Sequence, residues 1–419
     1  MMNTLYEKIL FKECNAYKNK KLIVAFSGGK DSLSILHFLV KNKDLLSISD
    51  IIACHINHQI RPDSDDDEKF AKEFCDKLNV KIYTYKIDVF DYVKKYKVSI
   101  EEAARILRYK KLYDLLNDIK YDFIVTAHHK DDLIENFFIR VFRGTPIYNL
   151  SGFNINDDVI KRPLLNINRE CIEEYIDYYQ LPFVVDKSNF DEKYLRNWVR
   201  NKIVKEIKSY NKGFLNNIIR LIDESKELSD YLKRKCFVEV NELKEDFIYF
   251  SKDRLLKYDE YERKFILNDI LRCYFKVEKK HISSILQSLY KNHSKRVILP
   301  ENYIFEKSYT NCYLYKKHYL KDFEIIKKEE EKEIILPFIN KKIVFSGIYK
   351  DMQLIVRNRR NGDRFKGKKL KDIFIDKKID LIIRDTSVII ENNGEIIWVE
   401  NISENEDIKI EKIEGGYYE

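Results

Sequence analysis

Short apolar runs alternate with amphipathic stretches along the first part of the chain. Such alternation of strand-like and helix-like segments is typical of a doubly wound α/β fold with a parallel sheet. The strand-like runs occupy residues 22–26, 51–56, 80–86 and 122–127. Because helical spacing of apolar residues separates each pair of runs, we predict an α/β domain over residues 1–205.

Beyond residue 205 the pattern changes to long helical periodicities. Apolar spacing predicts a helical middle domain over residues 206–294, with a short connection at 244–250. Short strand-like runs then return, which predicts a small α+β region over residues 295–419. Within it, the charged stretch 327–333 is typical of a solvated linker or turn.

The composition is that of a globular protein with a heavily charged surface. Hydrophobic residues make up 44% and charged residues 35% of the 419 residues. The net charge of +8 is modest for this length, so local clusters must indicate whether the chain binds nucleic acid. The seven cysteines include no CxxC pair, which argues against a zinc ribbon, a cysteine-ligated iron–sulfur centre or a disulfide framework. Since no segment is apolar enough for a membrane span, we expect a cytoplasmic protein without a membrane partner.

A glycine-containing turn joins the first predicted strand to the following helix. It consists of Ser27-Gly28-Gly29-Lys30-Asp31-Ser32. Glycines let backbone N–H groups approach a phosphate closely, and a helix N-terminus adds partial positive charge. An ordinary glycine turn is the alternative interpretation. The GxxxxGK[ST] spacing of the Walker loop is missing, so γ-phosphate transfer of that kind is not predicted.

The same turn resembles the SGGxDS signature of PP-loop ATP pyrophosphatases. Members of that superfamily cleave ATP between its α and β phosphates and adenylate an oxygen of a second substrate. The resemblance implies that the turn holds the diphosphate of ATP, that Asp31 helps to bind Mg²⁺, and that Lys30 and Ser32 lie near the phosphates. The signature identifies only the superfamily, which includes enzymes making GMP, asparagine, thiolated tRNA bases and lysidine.

Further segments, in chain order, resemble motifs of the tRNA(Ile)-lysidine synthetase family. They are HINHQIR at 55–61, IEEAARILRY at 100–109, TAHHKDDLIEN at 126–136, RPLL at 162–165, DKSN at 186–189 and RNWVR at 196–200. The resemblance implies a nucleotide contact for His55 and tRNA or substrate contacts for Arg61, Arg108, Arg196 and Arg200. The short motifs are weak alone, whereas the ordered series is specific. Leu133, Asn136 and the loop 144–148 depart from the family pattern.

The segment after the fourth predicted strand is the most informative of these. Asp132 and Glu135 lie three residues apart at a predicted helix start, so both carboxylates can face one pocket and receive the cationic groups of a free lysine. His128 is a candidate catalytic base by its placement, and Arg105 is a candidate catalytic residue that pairs with phosphate. The alternatives are an acidic helix turn with solvated histidines, and a histidine satisfied within the fold.

Residues 357–371 form a dense basic segment. It carries eight cations against one acid, Asp363, with Phe365 and Phe374 nearby, and this combination suits RNA phosphate binding. A solvated charged loop is the alternative. The segment resembles the RxRxGDR and KLKxxFxD motifs of the lysidine synthetase C-terminal domain, at about residues 350–419 here, which helps to select the tRNA. By this resemblance tRNA binding is assigned to Arg359, Arg364 and Lys369.

Together the resemblances imply an ATP-consuming ligase. We expect it to adenylate the C2 oxygen of the wobble cytidine of tRNA(Ile) with a CAU anticodon, and then to join free L-lysine to C2, giving lysidine, AMP and diphosphate. In this interpretation the helical domain contacts the tRNA, and a homodimer is compatible with it. The alternatives are a tRNA thiolase of the same superfamily, which usually needs paired cysteines, and a non-catalytic RNA-binding protein that senses a nucleotide.

Overall fold

The computed structural model of the chain contains two compact units, which are divided between Asp230 and Tyr231. It describes residues 3–60, 63–152, 158–184, 195–211, 213–244, 246–336, 341–404 and 407–412. The predicted succession of an α/β region, a helical region and antiparallel strands is confirmed. The predicted domain limits at residues 205 and 294 stay predictions. Among the helices of the described ranges, none has both the length and the apolarity needed to cross a membrane.

The first unit is built on a five-stranded sheet. Its strands are β1 (Lys21–Ala25), β2 (Asp50–Asn57), β3 (Ile82–Lys86), β4 (Phe123–Val125) and β5 (Ile160–Lys161). They lie in the order β3-β2-β1-β4-β5, and every neighbouring pair is parallel. The predicted parallel sheet is therefore confirmed. Strand β5 escapes sequence analysis because two residues carry no period-two pattern.

Helices cover both faces of this sheet. They are α1 (Leu5–Cys14), α2 (Lys30–Lys41), α3 (Ser64–Lys77), α4 (Val89–Tyr96), α5 (Ile100–Ile119), α6 (Lys130–Phe142) and α7 (Arg169–Tyr178). Helix α8 (Leu195–Trp198) continues through a π-helical segment (Val199–Val204) into α9 (Lys205–Tyr210). Helix α10 (Gly213–Lys235) contains the division between the units.

Alternate residues of β1 are buried on opposite faces of the sheet, so both faces need covering by helices. Leu22 and Val24 are fully buried on the face that packs against α1, α2 and α7. Ile23 points the other way and packs against Leu112 and Leu116 of α5. Because both faces are buried, the strand is a continuous apolar run rather than an alternating one. The carboxyl ends of β1 and β4 lead into α2 and α6, and the candidate site lies in these turns.

The second unit begins with an antiparallel sheet. Its strands are β6 (Val240–Lys244), β7 (Phe247–Ser251), β8 (Lys295–Ile298), β9 (Tyr303–Lys307) and β10 (Asn311–Lys316), in the order β6-β7-β10-β9-β8. Helices α11 (Lys252–Leu256), α12 (Glu260–Leu271) and α13 (Lys279–Leu289) lie between β7 and β8 in the chain. The prediction of a mere connection at 244–250 is wrong: β6 and β7 pair with each other there, and β7 also pairs with β10. The sequence separation of β7 and β10 hides that pairing from local pattern analysis.

Further strands of the second unit carry the basic segment. One sheet has the order β11 (Glu324–Lys327), β14 (Leu354–Asn358), β17 (Val388–Asn392) and β18 (Glu395–Val399). A three-stranded sheet has the order β12 (Glu333–Leu336), β13 (Lys341–Phe345) and β19 (Ile408–Lys412). A separate two-stranded sheet consists of β15 (Arg364–Phe365) and β16 (Lys368–Lys369). Helices α14 (Leu370–Asp376) and α15 (Leu381–Thr386) follow β16.

The charged stretch at 327–333 differs in part from its prediction as a solvated linker or turn. Lys327 ends β11 and is fully buried, where its ammonium donates hydrogen bonds to the carbonyl oxygens of Lys328, Lys350 and Met352. A buried ammonium with three acceptors is satisfied, so this lysine is part of the fold.

Candidate active site

The glycine turn after β1 has a conformation that requires glycine. Gly28 has a φ of 82°, in the left-handed region that glycine adopts without strain. A Cβ at this position would lie 3.2 Å from a ring carbon of Phe70, and the carbonyl of Gly28 accepts a hydrogen bond from the Val184 backbone amide. The backbone is therefore held closely on one side, and the turn opens into the first residues of α2.

The two serines of the turn hold its shape. The Ser27 and Ser32 hydroxyl oxygens are 3.0 Å apart, and Ser32 Oγ accepts a hydrogen bond from the Ser27 backbone amide at 3.1 Å. Ser32 Oγ also donates to the Gly29 carbonyl. Because Ser32 is buried and bonded within the turn, its described contacts shape the loop; its predicted place near the phosphates stays a prediction.

Lys30 leans away from the turn in this structure. Its ammonium lies 3.1 Å from a carboxylate oxygen of Glu173 on α7 and 4.8 Å from the centre of the Phe183 ring. Both partners are at least partly exposed, so the ion pair is weak and the flexible lysine can exchange it for a phosphate. The predicted phosphate contact of Lys30 stays a prediction.

His129 connects the first turns of α2 and α6. Its Nε2 lies 3.7 Å from a carboxylate oxygen of Asp31 and 3.6 Å from one of Asp132. The ring is buried, and its Nδ1 accepts a hydrogen bond from the Asp131 backbone amide, while Asp132 accepts one from the His129 amide. The arrangement brings Asp31 and Asp132 to one place. Sequence analysis missed His129 and selected its neighbour, although the mutual capping of His129 and Asp132 is a signal of a histidine at a helix start.

The neighbouring His128 remains neutral near physiological pH. Burial lowers its pKa to about 3, and the positive charges of Arg162, Arg196 and Arg105 act in the same direction against the attraction of Asp132. Its Nδ1 lies 3.0 Å from the Thr126 hydroxyl. An imidazole with so low a pKa is a weak base near neutral pH, which argues against this role; the prediction of His128 as a base stays a prediction.

Asp132 and Glu135 form an ion cluster with Arg196 and Arg200. Arg196 bonds to both acids, at 2.7 Å to Asp132 and 3.2 Å to Glu135. Arg200 binds Glu135 through two nitrogens, at 2.6 and 2.9 Å. Glu135 is only 1% exposed. Two carboxylates thus face two guanidiniums, and the cluster is neutral as a whole.

The cluster also lowers the pKa of Asp132. Burial alone would raise the pKa of this carboxyl, but its attraction to His129 and Arg196 outweighs burial, and the pKa lies well below its ordinary value. The pKa of Asp31, at the start of α2, is shifted in the opposite direction. Burial raises it, and the attraction of His129 only partly offsets burial. Sequence analysis assigned the acids to lysine and the arginines to tRNA as separate sets, whereas the structure brings them into contact.

The remaining predicted residues of the first unit have varied surroundings. His55 is buried, and its ring nitrogen lies 3.0 Å from the carbonyl oxygen of Phe26, just before the glycine turn, so its described contact is with the backbone. Arg105 and Arg108 are exposed on α5, with the Arg105 guanidinium 5.2 Å from the centre of the Tyr109 ring. Arg61 and the predicted DKSN motif at 186–189 lie outside the described residues.

The basic segment of the second unit divides into buried and exposed cations. Arg357 is buried between Asp363 and Glu391, so its inclusion among RNA-binding cations is wrong. Arg359 pairs with Asp385 at 3.3 Å. Phe365 and Phe374 are core residues, contrary to their expected place at an RNA surface. The exposed cations are Arg360, Arg364, Lys366, Lys368, Lys369 and Lys371.

Comparison with known proteins gives a consistent result over most of the chain. Residues 2–207 match the family described as PP-loop domain, and residues 354–418 match the family described as TilS substrate C-terminal domain. Among similar curated proteins, the tRNA(Ile)-lysidine synthase of Thermosipho africanus is 34% identical, over 96% of this chain and 94% of its own. Those of Clostridium tetani and Thermotoga maritima are 32% and 31% identical, over 94% and 95% of this chain and 92% and 96% of their own.

Proposed function

This chain belongs to the tRNA(Ile)-lysidine synthase family, and on that premise we propose that it uses ATP to join lysine to C2 of the wobble cytidine of tRNA(Ile) with a CAU anticodon. The observation that carries the proposal is the chain of contacts at the carboxyl edge of the parallel sheet, where His129 lies between Asp31 and Asp132 and Arg196 joins Asp132 to Glu135. Open parallel sheets place their ligands at this edge. The reaction belongs in the cytoplasm, where tRNA is modified.

The turn between β1 and α2 is the proposed binding site for the diphosphate of ATP. Its backbone amides and the N-terminus of α2 supply partial positive charge, and Lys30 supplies a full one after leaving Glu173. The C2 oxygen of cytidine attacks the α-phosphorus, and the bond to diphosphate breaks. Stabilising the negative charge that collects on the leaving diphosphate is the main task of this part of the site.

Asp31 is the residue that would hold Mg²⁺. Its carboxylate is about one-third exposed at the start of α2, and carboxylate oxygen is a ligand type that Mg²⁺ prefers. The described residues contain no cluster of three or more histidine, cysteine or acidic side chains suited to a metal. Mg²⁺ commonly uses one or two carboxylates together with substrate phosphates and water. When bound, the ion supplies charge neutralisation for the phosphates.

Asp132 and Glu135 are the proposed acceptors for the charged groups of lysine. In the second step the ε-ammonium first gives one proton to solvent, and the resulting neutral amine attacks C2. AMP departs with the former C2 oxygen, and the nitrogen now bound to C2 loses its second proton to solvent or to a base, for which His128 stays the candidate. Arg196 and Arg200 already neutralise the two acids, so an entering lysine shares or replaces guanidinium contacts. Released guanidiniums are then available to the phosphates of tRNA or of the nucleotide.

The direct test is a reaction in which ATP, lysine and a tRNA(Ile) transcript with a CAU anticodon are supplied together. We expect multiple turnovers of AMP release only with all three, and a mass increase of the tRNA by one lysyl residue at the wobble cytidine. Arginine and ornithine serve as matched amino acid controls. A tRNA that gains sulfur, or a nucleotide that binds without turnover, would contradict the proposal.

A second prediction concerns the buried ion pair in the basic segment. Asp363 receives two hydrogen bonds of 3.0 Å from the Arg357 guanidinium and one of 2.7 Å from the Arg360 backbone amide. It thereby folds the turn that presents the exposed cations. We expect Asp363→Asn to weaken tRNA binding about ten-fold, although it removes a negative charge, because the turn loses charge-assisted hydrogen bonds.

The measurement is the Kd for tRNA from filter binding at one fixed salt concentration. Asp372→Asn is the matched control, since this exposed acid in the first turn of α14 undergoes the same charge change. We expect the control to bind tRNA equally well or more tightly. Equal tightening in both variants would show that Asp363 acts only through its charge.

A further inference from the structure

Two exposed aromatic side chains lie together beside the ion cluster. Phe142 at the end of α6 is 51% exposed and Trp198 at the end of α8 is 37% exposed. Their ring centres are 5.9 Å apart, and Phe138 lies behind Phe142 with a centre-to-centre distance of 6.3 Å. We call Phe142 and Trp198 the aromatic platform. Single exposed apolar residues are common, but adjoining exposed aromatics at a functional edge point to a ligand.

The two helices that carry the platform, α6 and α8, also carry residues of the ion cluster. Phe142 lies seven residues after Glu135, which places the two side chains on the same face of α6, about 10 Å apart along its axis. Trp198 lies two residues from both Arg196 and Arg200 along the chain, and its ring contacts that of Phe142. The platform is therefore about two helical turns of α6 from Glu135.

The electrostatic surroundings of the platform favour a polyanion. Arg143 directly follows Phe142 and is exposed. Arg140, one turn earlier, donates hydrogen bonds to the carbonyls of Asn149 and Gly152, and burial lowers its pKa with further contributions from Arg143 and Arg105. Arg143 therefore adds an exposed positive charge next to Phe142, and Arg140 and Arg105 add to the positive potential nearby. An apolar protein segment would not need this field, whereas RNA matches both the charge and the aromatic faces.

We propose that the aromatic platform stacks on an unpaired nucleobase of the tRNA, next to the cytidine that reacts. Unpaired bases in RNA loops are commonly held by stacking on aromatic side chains, and every base offers such a face. The platform would hold the loop in register, with the reacting base directed toward Asp132 and Glu135. Phe142 and Trp198 are positioning residues in this scheme. The inference rests on the proposed function, since it requires RNA at this edge.

The chain offers a direct optical test. It contains two tryptophans, and Trp398 is buried in the core of the second unit, so Trp398→Phe leaves Trp198 as the sole tryptophan. We expect saturable quenching of its emission by the tRNA(Ile) transcript, with a midpoint equal to the Kd from filter binding. A fully paired RNA duplex of similar length is the control and should leave the emission unchanged.

Variants extend the test to turnover. Trp198→Leu keeps an apolar side chain but removes stacking, and we expect the KM for tRNA to rise roughly 5- to 100-fold with the KM for ATP unchanged. Trp198→Tyr should stay within a few-fold of the parent. Tyr178→Leu, an exposed aromatic on α7, is the matched control and should have no effect.

The outcomes separate this inference from the proposed function. Lysidine formation with unchanged Trp198 emission at saturating tRNA would overturn the stacking and leave the function intact. Equal effects of Leu and Tyr at position 198 would overturn it as well. An emission change that depends on protein concentration without RNA would assign the platform to a second copy of the chain. Absence of both tRNA binding and lysidine would contradict the proposed function itself.

Discussion

Asp31→Asn is expected to lower ATP-dependent modification of tRNA by about a thousand-fold or more while the first unit stays folded. The change removes the one carboxylate at the start of α2 that lies beside the glycine turn and His129. Loss of a single preorganised group that stabilises developing charge commonly costs 10² to 10³ in rate, and loss of a metal-binding carboxylate adds to this. The measurement is single-turnover formation of diphosphate with saturating tRNA and lysine.

Asparagine keeps the size of Asp31, so the fold is not expected to change. The matched control is Asp44→Asn, which removes an equal charge from an exposed position soon after α2 and should retain full activity. Raising the Mg²⁺ concentration should recover part of the Asp31→Asn activity, because a weakened site fills at higher metal concentration. Full diphosphate formation by Asp31→Asn at ordinary Mg²⁺ would remove this residue from the nucleotide site.

The parallel sheet could be predicted because its evidence is local. Strands β1, β2 and β4 are short apolar runs that are buried in the middle of the sheet, and Gly28 occurs where the backbone must adopt a positive φ. These features arise from a few neighbouring residues, and neither requires knowledge of distant contacts. The start of α5 is also local, because the Ser99 hydroxyl accepts a hydrogen bond from the Glu102 backbone amide three residues later.

The ion cluster could not be predicted because its partners are distant in sequence. Glu135 and Arg200 are 65 residues apart, and nothing in either local pattern specifies the other. The choice between His128 and His129 is a different difficulty. The two are adjacent, and the start of α6 decides which ring turns inward to Asp31 and Asp132.

Arg357 illustrates a third reason why part of the site could not be predicted from the sequence. A run of basic residues suggests a uniformly solvated surface, but β14 is buried at four of its five residues. Arg357 is one of these and its guanidinium pairs with Asp363 and Glu391, whereas Arg360 and Arg364 are exposed. The composition of the segment therefore predicts its charge correctly, but it does not predict which cations are exposed and able to contact RNA.

Glu135 is the residue at which structural and catalytic roles can be separated. It is buried and holds Arg200 through two hydrogen bonds, so Glu135→Leu leaves a partly buried guanidinium short of a partner. We expect a loss of about 3 kcal/mol in the free energy of unfolding and loss of lysine-dependent turnover. Urea unfolding followed by Trp198 emission in the Trp398→Phe background measures the first unit alone.

The double variant Glu135→Leu with Arg200→Met distinguishes the two roles. Replacing both members of a buried ion pair by apolar side chains is often nearly neutral, so most of the lost stability should return. Turnover should remain absent, because the proposed acceptor for lysine is still missing. Asp131→Asn is the control: it removes a neighbouring buried carboxylate that pairs with Lys208 at 3.1 Å, and it should keep the lysine KM within a few-fold. If the double variant instead regained lysine-dependent turnover, Glu135 would serve only to hold Arg200, and the lysine site would have to be sought elsewhere.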